Sequence, residues 1–574
     1  MSLQEQLDQA NSANKLLTLK ILLSEEALND NLIENVNGDA TIGFIIDFEN
    51  EESLIIEPGL VENVIFEVEN WKSTFKFSDG SVHTYTSIGS LVVPDSSLLV
   101  NPNGSTPIAA LLQFSTVIAG KIKIVVKGRN GSLSDVTKEF SMVSTEHKVP
   151  ILGLYPSYNN TVDVFLLKED GTERAQTSLY IYTGSLPDGL PSSIIVDIHK
   201  DEKMGKGMTL ISYLGKNPST PFFIDNYGDI RWVLDFSNNI ELKNLSFDNG
   251  IEQLANGNLY FGDKTLSKIY EIDILGKIIN IIPLEGYTFH HNVQEKPDGN
   301  FLVTVNKLGS THLNGHKTIE DYIIELDRKS GAVLHEWDLK QSLDEFRITL
   351  IDNLANDPVD WFHGNAVVFD SNDNTIIVSG RTQGVVKLDY DNNVKWILAP
   401  HKEWGLNRNG ENLNQFLLTP LDGSGNPISD LSILDGTTNH PDFEWSWYQH
   451  APLVKPDGHI MLFDNGYNRN YTGTQLYSRA VEYQIDETNM TIQQVWEYGK
   501  ERGTGAYSRI VSDVDFLTHV NNVLFNPGFQ VNNLDAFGGK VIEVNYLTGE
   551  VVYEVRINSS GVTLHRAERM SIYP

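Results

Sequence analysis

The chain has 574 residues, and a hydrophobic content of 40% is enough for a packed core rather than a disordered polymer. Its 76 acidic residues outnumber 43 basic ones, and the net charge of −33 repels phosphate backbones and anionic lipid, which excludes nucleic acid and membrane surfaces as partners. The absence of cysteine excludes disulfides, thiolate metal sites and cysteine nucleophiles.

In chain order, residues 1–38 read as a helical segment, with Leu7, Leu16, Leu17, Ile21 and Leu22 at helical spacing. The opening MSLQEQLDQANSANKLLTLK is polar and lacks the apolar core of an export signal. No stretch approaches the ~20 apolar residues of a membrane helix. Residues 39–150 carry short alternating runs such as ATIGFIIDF and GKIKIVVKGRNGSLS between Gly, Asn, Asp and Pro turns, the pattern of a β-sandwich. HKVPILGLYPSYNN then reads as a connector.

Within 151–574 a unit repeats: a turn of Asn, Gly or Asp, a short apolar strand, then a strand ending in an acidic turn. Copies include PFFIDNYGDIRWVLDF, QLANGNLYFGD, EKPDGNFLVTVN, VKPDGHIMLFDNG and a looser FDSNDNTIIVSGR. Partner strands follow, as in DYIIELDRKSGAVLHEWDL and AVEYQIDETNMTIQQVWEYG. The spacing predicts an all-β fold in which a six-bladed β-propeller follows the β-sandwich.

Nine residues before the turn residue Asn300 stands His291, and nine before the equivalent His459 stands His450. Allowing for two extra turn residues in the looser copy, His363 holds the same phase, while the copy ending at Asn258 has Asn249 there. A position just ahead of a blade strand lets side chains distant in sequence converge on the central axis. A turn or capping role accounts for one such histidine; three at one phase point to a site. Each is approached by aromatics, in YTFHH, DWFH and WSWYQH, and Tyr448 in the last offers a flat apolar substrate a surface to lie on. Arg381 closes the strand IIVSGR. Taken alone it reads equally as one half of a salt bridge, but beside imidazoles its planar fork suits a bound oxyanion better than a metal.

The segments DWFHGNAVVFDSNDNTIIVSGRTQGVVKLD, HHNVQEKPDGN, YQHAPLVKPDGHIMLFDNG and RAVEYQIDETNMTIQQVWEYG together resemble the bacterial arylsulfate sulfotransferase family. The resemblance implies an N-terminal β-sandwich, a six-bladed propeller, and direct transfer of a sulfuryl group from a phenolic sulfate ester to a phenol, with no nucleotide sulfate donor, no cofactor and no metal. It implies ping-pong kinetics with His450 as the nucleophile that becomes a sulfohistidine. His291 matches the first-hairpin active-site histidine, with His290 a second claimant beside it. His363 and Arg381 match the remaining pair, with Asn365 in the His-x-Asn motif. A homodimer outside the cytoplasm, periplasmic or secreted, is the corresponding expectation, although family members can carry a disulfide that this chain cannot form.

The side chains fit that chemistry. Neutral imidazole is a competent nucleophile near neutral pH. Arg381, His291 and Asn365 are candidates to hold the sulfuryl oxygens, with His290 and Tyr448 as further substrate contacts. Either His363 or His291 is placed to protonate the leaving phenol. Two other classes compete: an iron-dependent oxygenase with axial histidine ligands, which Arg381 argues against, and a non-catalytic propeller that binds a polymer or protein.

Overall fold

The computed structural model describes the chain except residues 1, 216, 247–249, 348–353, 535, 560, 562, 574 and the side chain of Leu28. Asn249, the polar residue at the histidine phase, lies outside the described residues. The chain divides into two compact units: Met1–Val100, Ala110–Ile151 and Tyr158–Thr183 form the first, and Asn101–Ala109, Leu152–Ser157 and Gly184–Pro574 the second.

In the first unit, helices α1 (Leu3–Gln9) and α2 (Lys15–Leu28) come before any strand. Ser2 caps α1, its Oγ accepting from the Glu5 N–H while the Glu5 carboxylate accepts from the Ser2 N–H. Leu7, Leu19, Leu22 and Leu23 pack onto Phe44, Ile46, Phe75 and Phe77 of two three-stranded sheets, and Leu17 and Ile21 face outward. A separate five-stranded sheet is built around the long strands Ala110–Val126 and Val136–Ile151 and ends with Glu173–Tyr182. The sheets therefore begin at Ile33, and the five-stranded one runs past residue 151.

The second unit is a β-propeller. Among its described residues six sheets follow one another, antiparallel but for the short edge strand Thr419–Pro420, and most of them are four-stranded meanders such as Tyr287–Glu295, Phe301–Lys307, Tyr322–Leu326 and Val333–Asp338. The middle strands are buried on both faces, as in Thr375–Gly380 and Ile460–Asp464, which is why they read as continuous apolar runs. Outer strands such as Ile278–Pro283 alternate, having one wet face. The innermost strands touch in series. The series closes where Ser212 Oγ accepts from the Ile251 N–H at 3.0 Å and Arg566 pairs with Glu252. The C-terminal strand Thr563–Met570 pairs with Met208–Leu214, so the two ends of the unit are hydrogen-bonded into one sheet.

The turn residues used to align the repeats have a common structural task. Asn258, Asn300 and His459 each meet a buried glutamate of a following strand, Glu271, Glu325 and Glu482, at 2.6, 3.2 and 2.6 Å. Lys296 and Lys455 complete two of these clusters at 2.7 and 2.8 Å. His459 thus pins a hairpin to its sheet, and the grouping of Asp457, His459 and Glu482, although close enough to hold a cation, is one of these pins. No helix among the described residues is long and apolar enough to cross a membrane.

Candidate active site

Four inner strands lose pairing register at a histidine. The breaks fall between Phe289 and Val293, between Gly364 and Ala366, between His450 and Leu453, and around His565, where the Leu564 and Ala567 pairings are offset. A bulge bends its strand and re-aims a side chain. The backbone pays in conformation: His291, His363, Tyr448 and Ala451 have φ of 50°, 55°, 56° and 49°, the left-handed region that non-glycine residues enter only where their surroundings impose it.

The re-aimed side chains meet. The His291 and His363 rings stand edge to face with centroids 4.9 Å apart. His290, fully buried, places Nδ1 3.2 Å from His291 Nδ1. Arg381 N donates to the His363 carbonyl at 3.0 Å, and its guanidinium lies 5.4 Å from the centre of the Tyr448 ring. Asn365 Nδ2 donates to the Gln449 carbonyl at 2.8 Å, and Gln449 Nε2 donates to the Gly380 carbonyl at 2.9 Å. The residue ahead of His450 is thereby tied to the sheet that carries His363 and Arg381.

His450 has a defined tautomer. Asn465 Nδ2 donates to the Ser508 and Val511 carbonyls at 2.8 and 2.9 Å, which turns its Oδ1 toward His450. His450 Nδ1 lies 2.8 Å from that oxygen and 3.0 Å from the Tyr448 carbonyl. Both are acceptors, so Nδ1 carries the hydrogen and Nε2 keeps its lone pair. Burial pushes the imidazole down to about 3; Asn465 opposes this, and His565, Arg381 and His363 reinforce it. His450 is neutral throughout the ordinary pH range. Burial likewise holds His291 well below its usual value, against the pull of Glu320.

His363 is the opposite case. Its Nδ1 donates to Asp360 Oδ2 at 2.5 Å and stands 2.8 Å from Glu320 Oε2. Burial alone would depress this imidazole, but Glu320 and Asp360 more than reverse it and raise it to about 9. Its Nε2 is buried and, among the described residues, without a hydrogen-bond partner, as is Arg381 Nε. Among the described residues no carboxylate lies within ion-pair distance of Arg381, so its charge is uncommitted. The site therefore combines a neutral imidazole with a free nitrogen, an imidazolium and an unpaired guanidinium.

Ligand atoms of His290, His291 and Glu320, and of Glu320, Asp360 and His363, also lie close enough together to hold a metal ion. In the second group the His363 Nδ1 lone pair is replaced by an N–H that donates to Asp360, a state that cannot ligate.

Further along the same strands the axis opens into a cavity of about 370 Å³ lined by all six sheets, with Glu252, Asn292, Val367, Leu453, Asp515 and Glu568 on its wall. Burial, with Glu568 and Asp515, pushes Asp513 well above the carboxylate range, and burial raises Glu568 to about 7 despite Arg566.

The sequence-derived residues His291, His363, Arg381, His450, Asn365, His290 and Tyr448 are thus drawn together. Glu320, Asp360, Asn465 and His565 join them unannounced.

A model of the arylsulfotransferase (ASST) family matches residues 195–566, and a model of the arylsulfotransferase Ig-like domain matches residues 97–184. The arylsulfate sulfotransferase AssT of Escherichia coli O6:H1 is 29% identical over 549 residues, covering 81% of this chain and 90% of that protein. The enzyme of the same name from Lelliottia amnigena is 27% identical over 566 residues, covering 83% and 92%. With about two thirds of its length, including every histidine of the cluster, inside the catalytic-family match, the chain belongs to the arylsulfotransferase family.

Proposed function

We propose that this protein transfers a sulfuryl group from a phenolic sulfate ester to a phenol by two successive displacements at His450. The observation that carries the reading is the neutral His450, with Nε2 free and Nδ1–H held by Asn465, beside an Arg381 that has no carboxylate partner among the described residues. In the first step the Nε2 lone pair forms an N–S bond as the S–O bond to the aryl group breaks, and the phenolate oxygen takes a proton from His363. The guanidinium and the His291 edge face the equatorial oxygens, where charge spreads in such a transfer. In the second step the acceptor hydroxyl attacks sulfur, the N–S bond breaks, and the phenolic proton returns to His363. Each half-reaction undoes the proton balance of the other, so the enzyme ends as it began.

The contrast between the imidazoles supports these roles. A nucleophile must be neutral, which fits His450; an acid must hold its proton, which fits His363 and not His291. Release of nitrophenolate from p-nitrophenyl sulfate is expected to require added phenol and to be accompanied by phenyl sulfate. Equal release with and without phenol, yielding inorganic sulfate, would identify a hydrolase instead.

A pH dependence follows with a definite sign. A raised imidazole is protonated up to its shifted value, so kcat/KM for the donor should hold through neutral pH and decline as pH rises through about 9. A rate that falls below pH 7 while the protein stays folded would place the required proton state elsewhere.

A further inference from the structure

The acid–base assignment raises the question of what keeps a buried histidine charged. Glu320 answers it. The residue lies outside every strand, between Phe301–Lys307 and Tyr322–Leu326, and holds a left-handed φ of 59°. Two hydrogen bonds impose that conformation: its N–H donates to Asn306 Oδ1 at 2.6 Å, and its carbonyl accepts from the Gly364 N–H, the residue after His363, at 2.8 Å. A strained residue held on both sides is a conformation the fold sustains rather than a relaxed loop. Among the described residues the carboxylate is directed to histidines alone, His363 at 2.8 Å and His291 at 3.7 Å. Among the described residues no Lys or Arg comes within ion-pair distance of it. Its neighbour Asp321 does the reverse, accepting from Lys340 and the Trp361 indole N–H at 2.9 and 3.0 Å. A buried carboxylate without a lysine or arginine either takes up a proton or finds its counter-charge in an imidazolium, and the two imidazoles beside Glu320 hold its carboxyl well below the usual range.

We infer that Glu320 is a positioning residue for sulfuryl transfer: with Asp360 it fixes His363 as an imidazolium whose Nε2–H points toward the leaving phenol oxygen. This rests on the function proposed above. Glu320 touches no reacting atom and acts through His363. The charged and titratable groups around His363 are Asp360 on its own loop, Glu320 and His291 from the neighbouring sheet with His290 behind, and, more distantly, His450, Arg381 and His565. Only the two carboxylates favour the charged ring. Burial depresses all three rings, and only at His363 do neighbouring carboxylates more than reverse it.

The test is Glu320→Gln, which keeps shape and removes charge, assayed with phenol as acceptor and two donors: p-nitrophenyl sulfate, whose leaving group needs little protonation, and an alkyl-substituted phenyl sulfate, whose leaving group needs much. The expected result is a loss at least about tenfold greater on the second donor, with the alkaline limb of kcat/KM moved down by about one pH unit or more. Glu320→Asp, which retains the charge, should keep the limb above that of the Gln variant. Equal losses on both donors with an unmoved limb would overturn the inference while leaving sulfuryl transfer intact. Failure of the unaltered protein to need phenol would instead sink the functional reading. If the Gln variant does not fold by circular dichroism, carbon-13 labelled histidine in the unaltered protein decides: one resonance, lost in His363→Gln, must show an imidazolium at pH 8, and five neutral site histidines would refute the role.

Discussion

His450→Ala is expected to lower phenol-dependent turnover by at least about 10³-fold while the protein remains folded. The ring is almost fully buried, but its polar commitments are few, Nδ1 alone being hydrogen-bonded to Asn465 and Tyr448. Truncation therefore leaves a small polar-walled gap rather than an uncompensated charge. What disappears is the free Nε2 next to Arg381, and none of the neighbouring rings offers a substitute. His291 shares its Nδ1 with His290, and His363 is held between Asp360 and Glu320, which favour its protonated form. The complementary measurement uses the unaltered protein with donor alone: mass spectrometry of its peptides should find one sulfuryl group on the peptide containing His450. A label on the peptide of residues around His291 would remove the nucleophile assignment.

Arg381→Lys is expected to cost about 10² to 10³ in kcat/KM, close to the loss on full truncation at that position. Charge is preserved in this replacement, so retention of most of the rate would show that charge alone suffices. The geometry argues otherwise. The guanidinium is placed by the backbone bond from Arg381 N to the His363 carbonyl, and its Nε is buried with no partner among the described residues. A buried donor left open in the free protein points to an acceptor that arrives with substrate. Two N–H groups in a plane match two sulfuryl oxygens, and an ammonium cannot reproduce that fork. Near-normal turnover of the lysine variant would contradict a two-oxygen clamp.

The propeller was legible because its physics is repetitive. Middle strands covered on both sides read as apolar runs, and Asn258, Asn300 and His459 recur because each must reach a buried glutamate. The same register made His291, His363 and His450 visible as a set. Glu320 was not visible: it sits in an insertion, next to Asp321, and nothing in the letters separates a carboxylate aimed at imidazoles from one aimed at Lys340. Asn465 read as part of an ordinary Asp-Asn-Gly turn, though its amide fixes the tautomer of His450. His565 lies on the C-terminal strand, which completes a sheet begun some 350 residues earlier and has no turn from which to count its phase. The first unit was legible in kind but not in detail. The helices were evident from leucine spacing, whereas the partition of its strands into two small sheets and a large one depends on pairings between runs that look alike.

The carboxyl-lined hollow beneath the histidines has a consequence for traffic. Burial pushes the Asp513 and Glu568 carboxyls up, and Arg566 and Arg569 stand on the same wall, so charge alone does not bar an anionic sulfate ester from the far side of the ring.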